Sequence, residues 1–320
     1  MNLQEILSKK LVVVSGKGGV GKTSIAAALG LIAARQGKKT LIAEVNSAER
    51  IASLFGIKKV GYQETIIAEN LHAINIDPHS AFEEYIIEQI HSKKLYKLVF
   101  EHKFVRNFLD ATPGLNELLE IGKIWALTEK NKDAKREKSK YDLVIVDAPA
   151  TGHGLAFLDV PQVVTKAIRV GPLKTKAAQI VDLIQNKQKT LLLVVTLAEE
   201  MPVNETLEML QKAKKDVHIA TGPVFVNALF PSFFSEEEAL KIRNQIKKNS
   251  EDIELQEISN VLHLFQKRSA LQNFYLNKLH LTLEDKEVLQ LPFLFHSHFD
   301  RNAIEELTTH LVNSFKGSKT

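Results

Sequence analysis

Residues 16–23 read Gly-Lys-Gly-Gly-Val-Gly-Lys-Thr, with Gly16, Gly21, Lys22 and Thr23 at the spacing of a phosphate-cradling loop. Glycines at 16, 18, 19 and 21 let successive backbone N–H groups turn toward a polyphosphate. A helix opening at Lys22 adds its positive end to the same place. Lys22 is placed to reach the β- and γ-phosphates, and Thr23 to offer a hydroxyl to Mg²⁺. A ligand-free glycine turn would give Lys-Thr no packing reason to stand at a helix start. Gly16, Gly18, Gly19, Val20, Gly21, Lys22, Thr23 and Ser24 are therefore the expected nucleotide contacts, for ATP with Mg²⁺. Asp147 follows the apolar run Leu143-Val-Ile-Val146. At the carboxyl end of a strand beside such a loop, an aspartate can hold Mg²⁺ through water.

The elements that must position these residues are legible nearby. Leu11-Val-Val-Val14 is a β-branched run leading into the glycines and reads as a buried strand. Thr23 to Gln36 has helical periodicity and is stopped by Gly37, and Thr40 to Val45 is the next strand, which completes a βαβ unit. The runs Leu143–Val146, Leu191–Val195 and Val224–Val226 are hydrophobic throughout, as expected of strands covered on both faces. The expected fold class is α/β, a doubly wound, mostly parallel sheet with an inserted helical subdomain. Residues 81–130 and about 163–184 read as helical, with a break at Pro113-Gly114, and the charge-dense 130–140 reads as a solvated loop. The division expected is a nucleotide-binding core of 1–80, 140–153 and 188–320, with helical insertions at 81–139 and 154–187.

The loop's second lysine, Lys17, gives the deviant form of the phosphate loop, and here the chain resembles the ArsA/GET-type ATPases. These sit in a wider class that includes MinD, ParA and the nitrogenase iron protein. The resemblance implies a homodimer with two ATP molecules sandwiched between subunits, Lys17 reaching the partner's nucleotide. Asp147-Ala-Pro-Ala-Thr-Gly-His153 is similar to the family's second switch, including Pro149, Thr151, Gly152 and His153. Phe225-Val-Asn-Ala-Leu-Phe-Pro231 resembles the strand whose asparagine, here Asn227, reads adenine, and an amide with both donor and acceptor suits that edge. Pro292-Phe293 resembles the late loop over the base. Glu199 aligns with a family glutamate near the nucleotide, and Glu205-Thr206 continues that alignment as the opening of a helix. The resemblance runs from residue 11 to about 310.

The chain departs from the family at the first switch. Where members carry an aspartate that positions the attacking water, Asn46 stands, followed by Ser47-Ala48-Glu49. Asn46 can orient a water but cannot take its proton, and general-base help is worth about 10²–10⁴ in rate. Glu44, two residues earlier on the same strand face, is the other candidate for that role, or else a structural carboxylate. A module that binds ATP and hydrolyses it slowly is one alternative reading. A positioning ATPase like MinD or ParA is another, and it needs a membrane-binding helix or a basic face, for which the amphipathic Ile304 to Phe315 is the candidate.

Composition narrows the partners. There is no cysteine, which removes disulfides, thiolate metal sites and a redox role like that of the nitrogenase iron protein. Metalloid binding through cysteine is excluded with them, and so is the Cys-x-x-Cys zinc site that joins the subunits of the tail-anchor-targeting members the chain resembles. His296 and His298 share a His-x-His spacing without other obvious ligands. A net charge of +4 over 320 residues is too mild to predict nucleic-acid binding. No apolar run approaches the ~18 residues of a membrane span, so no stable membrane insertion is expected. The chain reads as soluble and cytoplasmic. Resemblance to the tail-anchor-targeting members implies a hydrophobic helix or membrane-protein client, which those members hold in an apolar, methionine-rich helical groove. This chain has 3 methionines, and Phe100, Phe104, Phe108, Leu155, Phe157, Leu158, Val163, Val164 and Ile168 are the apolar candidates, with a core role equally open.

Overall fold

The computed structural model describes residues 1–45, 50–99, 107, 109, 111–129, 140–149, 155–232, 234–248 and 253–317. Strand β1 (Leu11–Ser15) is buried along its whole length. Its side chains alternate as a pleat requires: Val12 and Val14 join the core on one face, Leu11 and Val13 the core on the other. Around it lie β2 (Thr40–Val45), β3 (Thr65–Ala68), β4 (Leu71–Ile76), β5 (Leu143–Asp147), β6 (Thr190–Leu197), β7 (Thr221–Leu229) and β8 (Val288–Pro292). The order across the sheet is β3-β4-β2-β5-β1-β6-β7-β8, parallel except for the antiparallel β3–β4 pair. The chain leaves β1 toward β2 on one side and returns through β6 on the other. This switch point opens the crevice at the strands' carboxyl ends.

Helices cover both faces. The first face takes α1 (Leu3–Leu7), α2 (Lys22–Arg35), α3 (Arg50–Leu54) and, from the far end of the chain, α12 (Arg301–Gly317). The second takes α6 (Leu115–Thr128), α7 (Ala156–Ala167), α8 (Pro172–Gln185) and α9 (Glu200–Lys212), with α4 (Pro78–Ile90) and α5 (Lys93–Val99) outside α6. Two long helices, α10 (Glu236–Lys248) and α11 (Ile253–Thr282), lie between β7 and β8 in the chain. Tyr275 and Leu279 anchor α11 against Ala198, Val203 and Val226.

Some expectations are corrected in detail. The single helix expected near 163–184 is two, because Ile168 is extended, Gly171 has φ +114° and Pro172 restarts the helix. Helix α9 opens at Glu200, so Glu205 lies in its second turn instead of at its start. The amphipathic C-terminal helix spends its apolar face on the core: Ala303, Ile304, Leu307, Leu311 and Phe315 are buried against the layer of α2. That face is not free to bind a membrane. Among the described residues, no helix is long and apolar enough to cross one.

Candidate functional site

The loop after β1 is held between two strands. Gly16 has φ +145°, and a Cβ there would lie 2.1 Å from the Val195 carbonyl oxygen of β6. Gly21 has φ +96° and forms the N-cap of α2, and a Cβ there would lie 2.2 Å from Asn227 Nδ2. Only glycine meets both the left-handed backbone and the close approach. Asn227 Nδ2 donates to the Val20 carbonyl at 3.0 Å, so β7 touches the phosphate loop directly. Gly18 and Gly19 are exposed at the crest of the loop, Val20 is buried beneath it, and Ser24 is half-buried in the first turn of α2.

The two lysines of the loop diverge. Lys22 is buried, and its Nζ donates to the carbonyls of Gly16 at 3.1 Å and Lys17 at 2.9 Å. Burial lowers its pKa against the opposing pull of Asp147. Lys17 is partly exposed and forms an ion pair with Glu205 of α9. Thr23 Oγ1 donates to Asp147 Oδ2 at 2.6 Å, which joins the start of α2 to the end of β5. Burial raises the pKa of Asp147, opposed by the Thr23 hydrogen bond and by the charges of Lys22 and Arg50.

Asp147 Oδ1 and Ser15 Oγ are both buried and have no hydrogen-bond partner among the described residues. Buried oxygens without partners are costly. A hydroxyl, a carboxylate with one oxygen to spare and phosphate oxygens form the donor set that a water-rich Mg²⁺ site uses. The residues present fit that ion.

Glu44 is fully buried on β2, in register with Asp147 on β5, and its Oε1 accepts from the Ile51 N–H of α3 at 3.1 Å. Asn46, Thr151, Gly152 and His153 lie outside the described residues, while Pro149 is half-buried just past β5. Glu199 is exposed at the N-cap position of α9 and makes no side-chain cap. Pro292 ends β8, the Phe293 N–H donates to the Leu229 carbonyl at 2.8 Å, and the Phe293 ring stacks on Phe230. Asn227, Pro292 and Phe293 therefore stand at the carboxyl ends of adjacent strands beside the loop. Two contributors have no assignment from the sequence, Arg50 acting on Lys22 and Asp147, and Arg268, whose guanidinium lies over Phe230; Glu205, named there only as continuing the Glu199 alignment, pairs with Lys17.

Leu155, Phe157 and Leu158 are buried in the core under the sheet, Val163 is exposed, and Val164 and Ile168 are half-buried. Phe100, Phe104 and Phe108 lie outside the described residues. A cavity of about 300 Å³ between α4, α6 and α8 is lined by Phe82, Tyr85, Leu119, Trp125 and Ile180. His296 is engaged by Glu306, Nε2 to Oε2 at 2.7 Å. Among the described residues, no group of three or more His, Asp or Glu could hold a metal ion.

The model of the family described as Anion-transporting ATPase matches residues 9–182, which span β1, the phosphate loop, Asp147 and the helices that follow. ATPase BagA of Mycobacterium tuberculosis is 34% identical over 246 residues, covering 72% of this chain and 68% of the relative. ATPase get3 of Neurospora crassa is 25% identical over 334 residues, covering 98% of this chain and 94% of its own. ATPase ASNA1 homolog 2 of Paramecium tetraurelia is 25% identical over 316 residues, covering 91% and 90%. With its phosphate loop clamped between β6 and β7 and an aspartate closing on the loop's threonine, this chain belongs to the anion-transporting ATPase family and is a nucleotide-dependent ATPase.

Proposed function

We propose that this ATPase works as a nucleotide-driven homodimeric switch whose nucleotide state is passed to an apolar client site in the helical layer. The observation that carries the reading is the divergence of the two lysines. Lys22 turns inward on the carbonyls of its own loop, while Lys17, partly exposed, pairs with the Glu205 carboxylate of α9. A cation so presented can exchange its partner for a phosphate on a second subunit, and a cation supplied across an interface is worth about 10³–10⁵ in rate.

Lys22 and the loop amides bind and orient the β- and γ-phosphates, while Asn227, Pro292 and Phe293 frame the base. Thr23 and Asp147 would hold Mg²⁺, which when bound would neutralise the charge that develops on the transferred phosphoryl group. The water falls to Asn46 or Glu44. Glu44 already accepts from Ile51, which favours a structural task for it and leaves Asn46 to orient the water without removing its proton. Slow hydrolysis is the expected consequence. The cavity between α4, α6 and α8 supports a place for an apolar segment, and the helices of 81–139 and 154–187 form the moving part.

Mixing subunits tests the switch. Lys17→Ala retains a nucleotide site but offers no lysine across the interface, and Lys22→Ala does the reverse. Each alone is expected to lose at least tenfold in kcat. A mixture should regain activity, because one of the two sites in the mixed dimer is whole. A mixture no more active than its components would remove the dimeric reading and leave the ATPase assignment standing.

A further inference from the structure

The aromatic stack at the end of β7 continues into a helix that the ATPase reading leaves idle. Phe230, three residues past Asn227, stacks on Phe293 with ring centroids 4.4 Å apart and planes at 30°. Phe295 stands edge-on to both rings, at 5.8 Å from Phe230 and 5.0 Å from Phe293. On Phe230, the guanidinium of Arg268 lies 3.6 Å from the ring centroid. Arg268 sits midway along α11, seven residues before Tyr275, which anchors that helix in the core. A contact path thus runs from the phosphate loop at Val20 through Asn227 and β7 to Phe230, and on to α11.

We infer that Arg268 is a positioning residue for the base end of the nucleotide site. By holding the Phe230 ring flat against Phe293, it fixes the segments that follow β7 and β8, and it ties occupancy of that site to α11. The inference rests on the reading of Asn227, Pro292 and Phe293 as the base pocket. Arginine suits the task, because a planar guanidinium stacks on a ring face where a lysine ammonium only points at it.

The test compares ADP with inorganic tripolyphosphate, which carries the charge without a base. Binding of each is measured by calorimetry for the native chain, Arg268→Ala, Arg268→Lys and Asn227→Ala, together with kcat and KM for ATP. A cation–π contact at an exposed site corresponds to about twofold to fivefold in affinity. Arg268→Ala should weaken ADP and raise KM by that factor, with tripolyphosphate affinity and kcat unchanged, and Arg268→Lys should recover part of the loss. Hydrogen exchange along α11 should slow on adding ADP to the native chain and not to Arg268→Ala. If Arg268→Ala binds ADP like the native chain while Asn227→Ala does not, the inference is overturned and the base pocket stands. Equal loss of ADP and tripolyphosphate would make Arg268 merely structural and overturn it too. If Asn227→Ala binds ADP normally, the pocket reading falls and the inference falls with it.

Discussion

Lys17 and Lys22 belong to one short loop yet dispose of their charge in opposite ways, and the difference lies in what reaches each of them. Lys22 is served by carbonyls of its own loop, so its place follows from local sequence. Lys17 is met by Glu205, which stands 188 positions away in the chain. Both partners are about one-third exposed, so the pair is worth at most about 1 kcal/mol. In the proposed switch this pair must break before Lys17 can serve a second subunit. Glu205→Ala is therefore expected to lower the half-saturating ATP concentration by up to about fivefold, read from the ATP dependence of hydrolysis; a higher concentration would show that Glu205 supports the closed state instead. The same contrast explains what the sequence discloses about the site. Glycines, Lys22, Thr23 and Asp147 are set by a strand, a turn and a helix start that local pattern announces. Arg50 and Arg268 come to the site through packing of other elements, and nothing in their neighbouring residues marks them; Glu205 is legible only as a continuation of the Glu199 alignment, with its pairing to Lys17 unannounced.

Among the elements, α6 carries the clearest conflict between pattern and position. Its apolar face, Leu118, Ile121, Ile124 and Leu127, packs under the sheet, but Glu120 is buried with it at 4% exposure. Burial, with Glu117 on the same helix and Asp77 at the N-cap of α4, pushes its carboxyl up to about 8. The folded chain therefore holds a proton that the unfolded chain releases near pH 4.5. The sign follows: the cost is absent below the unfolded pKa, grows as pH rises through the interval, and is complete above about 8. At pH 7 it amounts to roughly 3 kcal/mol. Denaturant titrations should show stability falling from pH 5 to pH 8, and Glu120→Gln should flatten that fall. Parallel curves for the two proteins would rule the carboxyl out. Pattern reading finds α2 and strands β1, β2, β5, β6 and β7, whose apolar runs are long or bounded by glycine. It misses β3, β4 and β8, because Leu71-His-Ala-Ile-Asn-Ile76 alternates weakly and β3 has four residues. An edge strand is defined by its neighbour more than by its own residues.

At the scale of the whole molecule, β1 lies at the centre of the sheet although it is made first. Its partners across the ladder, Val144 of β5 and Thr190 of β6, come more than a hundred positions later. Gly16 leans on Val195, and Val20 accepts from Asn227, later still. The phosphate loop therefore has no rigid form until β6 and β7 have been made. Chains ending at residue 187 should not bind a fluorescent ADP, and those ending at 317 should; a 1–187 chain that binds it would refute this order of assembly. During synthesis, Leu11-Val-Val-Val14 must wait unpaired while its neighbours are still being translated, and a β-branched run in that condition is prone to wrong pairing. The centrality that makes the nucleotide loop rigid in the finished protein makes its opening strand the longest-waiting part of the nascent one. Helpers that shield nascent apolar segments are then needed most while β1 lacks its later-made neighbours.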